Sequence, residues 1–304
     1  MYRKFYGFKE RPFEITPDPK FVYLSEHHQE ALSHLKYAIR EGKGFSVITG
    51  EAGTGKTTLV HMLLSRLDGQ VRTCYIFNPI LEQSDFLNYI CDDLGIESDG
   101  MKSRGQSLMA LHHFLLDCFT RDEKVFLIID EAQSLKPELL QEVRLLTNLE
   151  TSKSKLLHVI LLGQPELDKT LAEPRFRPLK QRISVRYHLR TLNRKETGEY
   201  ILFRLKRAGS RNIAIFDKDA IKEIYNYSKG IPRLINIVCD NALLTGFSTE
   251  QNRIGKKIIA DVIRDLEGGE QGKRNDTAKI ILLLIVAAGI FAFIFREWIF
   301  RLWR

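Results

Sequence analysis

One stretch narrows the possible folds of this chain more than any other: GEAGTGKT, from Gly50 to Thr57. It satisfies G-x-x-x-x-G-K-[ST], follows the short β-rich run GFSVITG and opens the helical pattern KTTLVHMLLSRL. The spacing has a mechanical reason. Gly53 and Gly55 let the backbone curl until successive N–H groups face a single anion. The helix that follows presents its positive end to the same anion. The phosphate-binding set is therefore Gly50, Glu51, Ala52, Gly53, Thr54, Gly55, Lys56, Thr57 and Thr58. Lys56 is placed to reach the outer phosphates of a nucleotide, and the Thr57 hydroxyl to ligate Mg²⁺.

A loop of this kind needs a second carboxylate-bearing element, and VFLIIDEAQ, residues 125–133, supplies it. The run is apolar without alternation, as in a strand buried on both faces. It ends in Asp130 and Glu131, which puts two carboxylates at the edge of the sheet where ligands bind in open α/β folds. Asp130 is expected to hold Mg²⁺ with Thr57, and Glu131 to polarise an attacking water. The cofactors expected are ATP and Mg²⁺.

Around these two motifs the pattern alternates. VRTCYIF, KLLHVILLG and VRYHL read as further strands, separated by helical segments, which predicts a parallel sheet flanked by helices. Residues 1–24 are rich in aromatics and proline and read as an extended, ordered arm. Ser25 then caps a helix that stops at Gly42. After about residue 190 four helical segments follow with no strand. The expected organisation is an arm and first helix (1–42), an α/β core (43–190), a helical lid (191–268), a polar linker (269–277), an apolar segment (278–298) and a short tail (299–304).

Taken together, YGFKERPFEITPDPKFVYLSEHHQEALSHLKYAI, GEAGTGKTTL, LIIDEAQ, LLTNLET, LLGQPEL and KGIPRLIN resemble the AAA+ ATPases. Within them they resemble the general secretion pathway protein A family, over roughly residues 1 to 265. Near relatives of that family act in pilus biogenesis and in exopolysaccharide and exosortase systems. The resemblance implies ATP hydrolysis and self-association into a ring or partial ring. It implies roles for further residues: Gln164 as a first sensor near the γ-phosphate, Asn78 as a partner of the catalytic Glu in an idle rotamer, and Arg233 as a second sensor on the lid. Arg182, with Arg175 and Arg177 as alternatives, is the arginine expected to reach a neighbouring subunit's nucleotide. Phe21, Tyr23 and Leu24 either line an adenine pocket or clasp the arm to the core.

The segment AKIILLLIVAAGIFAFIFREW, residues 278–298, carries no charge between Lys279 and Arg296. As a helix that stretch would cover about 24 Å, slightly short of a bilayer core of about 30 Å. Lys279 and Arg296 can snorkel, and Trp298 and Trp303 suit the interface. A single transmembrane helix is expected, with the ATPase in the cytoplasm where ATP is and the bacterial inner membrane as the location. Members of the family that continue into a periplasmic peptidoglycan-binding domain are longer, so the expectation here is a tethered motor acting on membrane-embedded secretion or export components. The net charge of +8 also permits contact with nucleic acid, as in ATPases that regulate DNA transposition. No helix-turn-helix or winged-helix pattern accompanies it, which disfavours that reading. The four cysteines fit no zinc spacing and suit a reducing compartment.

Overall fold

The structure is a computed structural model that describes residues 1–268 apart from 17, 68–69, 98–102, 153 and 211–213. Its elements run in the order α1 (Tyr2–Phe5), α2 (Glu26–Arg40), β1 (Phe45–Gly50), α3 (Lys56–Leu64), β2 (Val71–Ile76), α4 (Gln83–Asp93), α5 (Arg104–Thr120), β3 (Lys124–Ile129) and α6 (Pro137–Leu146). There follow β4 (Leu157–Gly163), α7 (Pro165–Ala172), α8 (Arg177–Lys180), β5 (Val185–Leu189), α9 (Arg194–Arg207), α10 (Lys218–Ser228), α11 (Pro232–Ser248) and α12 (Lys256–Leu266). The strands pair in the order β2-β3-β4-β1-β5, and every pairing is parallel. A parallel sheet requires crossover connections, and the helices between the strands provide them.

Strand periodicity divides the core in two. On one face Val47, Cys74, Ile76, Leu127, Ile129, Val159 and Leu161 pack with side chains of α4, α5, α6 and α7. On the other, Ile48, Phe126, Ile128, Ile160 and Leu162 meet α2 and α3. Both faces are covered, which is why the runs FSVITG, KVFLII and LHVILLG show no alternation in sequence. Strand β2 is an edge, and α4 covers its free backbone: the Tyr75 N–H donates to Asp93 at 3.0 Å, and its carbonyl accepts from the Tyr89 hydroxyl at 3.2 Å.

The four helices after β5 form a third core, and the N-terminal arm belongs to it. Tyr2, Tyr6, Phe8, Phe13 and Phe21 are buried against Ile201, Leu205, Val238, Leu243 and Ile259 of the helical unit. Arg204 is 6% exposed and stitches the two together. It donates to the carbonyls of Pro12 (2.5 Å) and Glu14 (3.1 Å) and to the Tyr200 hydroxyl (2.8 Å), and it lies 5.0 Å over the Phe21 ring. Polar acceptors on three sides and an aromatic face satisfy a charge that would otherwise be costly to bury. The arm departs from its expected extended form at its start, where Tyr2–Phe5 make a turn of helix. The i and i+4 positions of that turn place Tyr2 and Tyr6 on one side, where their hydroxyls bond Asp240 and the Gln251 carbonyl.

The expected membrane segment 278–298, with its linker 269–277 and tail 299–304, lies outside the described residues. Among the described residues no helix is long and apolar enough to cross a membrane.

Candidate nucleotide site

Strand β1 ends at Gly50 and α3 begins at Lys56, so the intervening loop turns at the C-terminal edge of the sheet. Gly53 and Gly55 both adopt left-handed conformations, with φ of 80° and 95°. An L residue is strained there, which is the physical content of the two glycines in the motif. Lys56 is 6% exposed, and its ammonium donates to the carbonyls of Gly50 (2.8 Å) and Glu51 (3.0 Å). Burial pulls its pKa below the usual lysine value, while Glu131, Asp130 and Glu51 work in the opposite sense.

At the end of β3, the Asp130 carboxylate is held from both sides. One oxygen accepts from the Glu131 N–H at 2.9 Å. The other accepts from the hydroxyls of Thr57 (2.5 Å) and Tyr75 (3.1 Å). A hydroxyl and a carboxylate in contact at the foot of a phosphate loop are the hard oxygen donors that Mg²⁺ takes in small number beside substrate phosphates, so Thr57 and Asp130 fit that ion. Burial and the Asp130 charge push the Tyr75 phenol above its ordinary pKa, which keeps it a hydrogen-bond donor.

Glu131 sits in the left-handed region, with φ of 49°. A non-glycine residue held there is uncommon, and such strain gathers at functional positions. Its carboxylate accepts from Gln133 at 2.5 Å and from Gln164 at 3.1 Å. Gln133 also accepts from the Gln164 backbone N–H at 2.9 Å. Thus Gln164, at the end of β4, lies beside Glu131, and Gln133 ties the two strand ends together. Asn78 follows β2 and is exposed. In this structure the Glu131 carboxylate is engaged by the two glutamines rather than by Asn78.

From the other side, α11 leans on the loop. The Arg233 N–H donates to the Gly53 carbonyl at 3.3 Å. A Cβ on Gly53 would lie 2.6 Å from the Cβ of Arg233. Gly53→Ala is therefore expected to push the lid off the loop and to weaken ADP binding by about tenfold, roughly 1.4 kcal/mol. Titration with a fluorescent ADP analogue measures this, and unchanged affinity would mean that the contact between Gly53 and Arg233 is irrelevant to binding. Beneath the loop, His28 is buried, with Nε2 3.1 Å from the Thr54 carbonyl and Nδ1 2.6 Å from the Ser25 hydroxyl. A carbonyl only accepts, so Nε2 carries the proton and Nδ1 accepts from Ser25. Burial lowers the imidazole pKa, which favours this neutral form.

A cavity of ≈ 530 Å³ joins these parts, lined by loop residues 53–58, Asp130, Glu131, Arg233, Asn236 and the arm from Phe21 to Leu24. Phe21 is at once a wall of the cavity and part of the arm's packing. Arg182 stands elsewhere. It precedes β5 at the N-terminal edge of the sheet, where it donates to Thr147 at 3.4 Å. Arg175 pairs with Glu173 at 2.8 Å, and Arg177 opens α8. The edge that carries Arg182 is opposite the one that carries Lys56.

Sequence reasoning missed Tyr75, His28 and Gln133. All three lie in stretches read above as strand, helix or motif, but only Gln133 stands beside a residue given a role, two residues past Glu131, where a tight turn brings it back. Tyr75 and His28 reach the site from β2 and α2, and no local pattern marks them.

A five-stranded parallel sheet with a phosphate loop after its first strand, an acidic pair after its third and a helical lid defines a P-loop fold of the AAA type. Residues 39–171 match the AAA domain family. The chain is 44% identical over 256 residues, 84% of its length, to general secretion pathway protein A of Aeromonas hydrophila. It belongs to the family of that protein, although it spans only 46% of that relative's length. Among solved structures, the Aeropyrum pernix ORC1 protein, solved in complex with DNA, superposes with a TM-score of 0.63 at 16% identity, over 86% of this chain and 70% of that one. The Thermotoga maritima RuvB Holliday junction branch migration motor gives 0.53 at 18%, over 80% and 69%. At such identities the likeness shows the fold alone.

Proposed function

We propose that this chain binds ATP with Mg²⁺ in the cavity above the phosphate loop and hydrolyses it. The observation that carries the proposal is the meeting of Lys56, Thr57, Asp130 and Glu131 at one sheet edge, with Gln164 and the lid closing over them. Lys56 exchanges its loop carbonyls for outer phosphate oxygens. Thr57 and Asp130 would hold the ion, which when bound would neutralise phosphate charge. Glu131 takes the proton of an attacking water, and Gln164 orients the reacting end from the next strand. Arg233 reports the phosphates to the lid. Arg182 stands at the sheet edge opposite the phosphate loop, which supports a role toward the site of a neighbouring subunit in a ring or partial ring.

In the cell we place this ATPase at the bacterial inner membrane, tethered by residues 278–298 with its catalytic part in the cytoplasm, where it assembles or regulates a secretion, pilus or polysaccharide-export machine. The apolar composition of that segment and the kinship with general secretion pathway protein A support this reading. Membrane fractionation of the full chain and of a form lacking residues 277–304 tests it. The full chain is expected in the membrane pellet and the shortened one in the supernatant. A full chain that stays in the supernatant refutes the tether.

A further inference from the structure

Asp130 has two hydroxyl donors on one carboxylate oxygen, and the nucleotide site as proposed uses only one of them. Thr57 belongs to the phosphate loop. Tyr75 belongs to the edge strand β2, and its presence there is the unexplained contact.

Several interactions hold Tyr75 in place. Its backbone is fixed by Asp93 and Tyr89 on α4. Its ring stacks on His61, with centroids 5.4 Å apart and planes within 5°. His61 lies one turn after Thr57 on α3, so the stack keys the edge strand to the same helix that carries the metal-binding hydroxyl. The Phe77 ring also packs on it, with centroids 4.2 Å apart. A phenol clamped in this way sets the rotamer of the carboxylate it donates to.

We propose that Tyr75 is a positioning residue for the divalent cation: it orients Asp130 so that this carboxylate and Thr57 share one ion, and it tunes metal affinity without touching the nucleotide. The inference rests on the nucleotide-binding reading above. The chemistry is that of outer partners at metal sites, where a hydrogen bond to a ligating carboxylate fixes its direction, and its loss costs 10- to 100-fold in metal affinity. A tyrosine suits the task because the ring gives a rigid reach from a neighbouring strand, whereas a shorter hydroxyl on β2 would fall short of β3's end.

The test uses the full chain in detergent, with Mn²⁺ as the probe ion and a fluorescent ADP analogue as the nucleotide. Mn²⁺ binding to the nucleotide-loaded protein is followed by electron paramagnetic resonance, and nucleotide binding is measured separately in excess EDTA. Tyr75→Phe keeps the ring and its stack and removes only the hydroxyl. It is expected to weaken Mn²⁺ binding by about tenfold while leaving metal-free nucleotide affinity within about twofold. His61→Ala, which frees the ring, is expected to shift Mn²⁺ binding in the same direction by less, and it stands in if the first variant misfolds. Equal weakening with and without metal would show a structural role and overturn the proposal. So would unchanged Mn²⁺ affinity in both variants while the wild-type protein binds metal and nucleotide. A wild-type protein that binds no nucleotide at all would instead remove the nucleotide reading, and this inference with it.

Discussion

Glu131→Gln is expected to lower ATP turnover by about two to three orders of magnitude while leaving ATP affinity nearly unchanged. The first half follows from proton chemistry. General base catalysis by a positioned side chain contributes about 10²- to 10⁴-fold, and glutamine is isosteric but cannot accept the water's proton. The second half follows from geometry. Glu131 touches Gln133 and Gln164 rather than the loop that cradles phosphates. Lys56 and Thr57 are held by Gly50, Glu51 and Asp130, so the binding surface survives the exchange. Phosphate release in the steady state and nucleotide titration in parallel separate the two quantities. Equal turnover in the variant would dismiss Glu131 as the base. A matching loss of affinity would mean that its strained backbone supports the loop rather than the chemistry.

The opposite signature is expected for Lys56→Ala, in which binding itself is lost. Two charge-assisted contacts to phosphate disappear, each worth roughly 1.5–3 kcal/mol, so affinity for ATP should fall by at least about 100-fold. The side chain is buried, and its ammonium currently satisfies two loop carbonyls. Truncation therefore also leaves the Gly50 and Glu51 carbonyls without that donor, and some loss of thermal stability should accompany the loss of binding. A thermal-shift series with and without Mg²⁺-ATP measures both. Wild-type protein should gain stability with nucleotide, as any ligand that binds only the folded state requires, and the variant should not. If Lys56→Ala retains the full nucleotide-dependent shift, the loop is not the phosphate site.

Much of this arrangement was legible in the primary structure because it is local. A strand, a glycine loop and a helix are contiguous from Phe45 to Leu64, and burial of both sheet faces writes itself as the unbroken apolar run before Asp130. Gln164 was expected near the γ-phosphate through the family resemblance alone, and in the structure its side chain meets Glu131. Contacts between distant segments were not readable. Tyr75 looks like any aromatic residue on a strand, and only the parallel pairing of Tyr75 with Ile128 brings it beside Asp130. His28 looks like a polar position near the start of an amphipathic helix, and the loop of residues 50–55 must pack above it before its Nε2 has a partner. The arm was legible as ordered and aromatic, but the surface that orders it lies some 200 residues later in the chain, in a region whose own pattern says only that it is helical.

That packing has a mechanical consequence. The backbone passes between the α/β layer and the helical layer twice: once between Tyr23, which packs with the helices, and Leu24, which packs on the sheet, and again between Leu189 and Leu192. Two strands of chain flanking one cleft act like the paired pins of a door. A relative movement of the two layers would turn about the line that joins these crossings. If the proposed nucleotide cycle moves the lid, the chain's first residues travel with it, because they are packed on its helices.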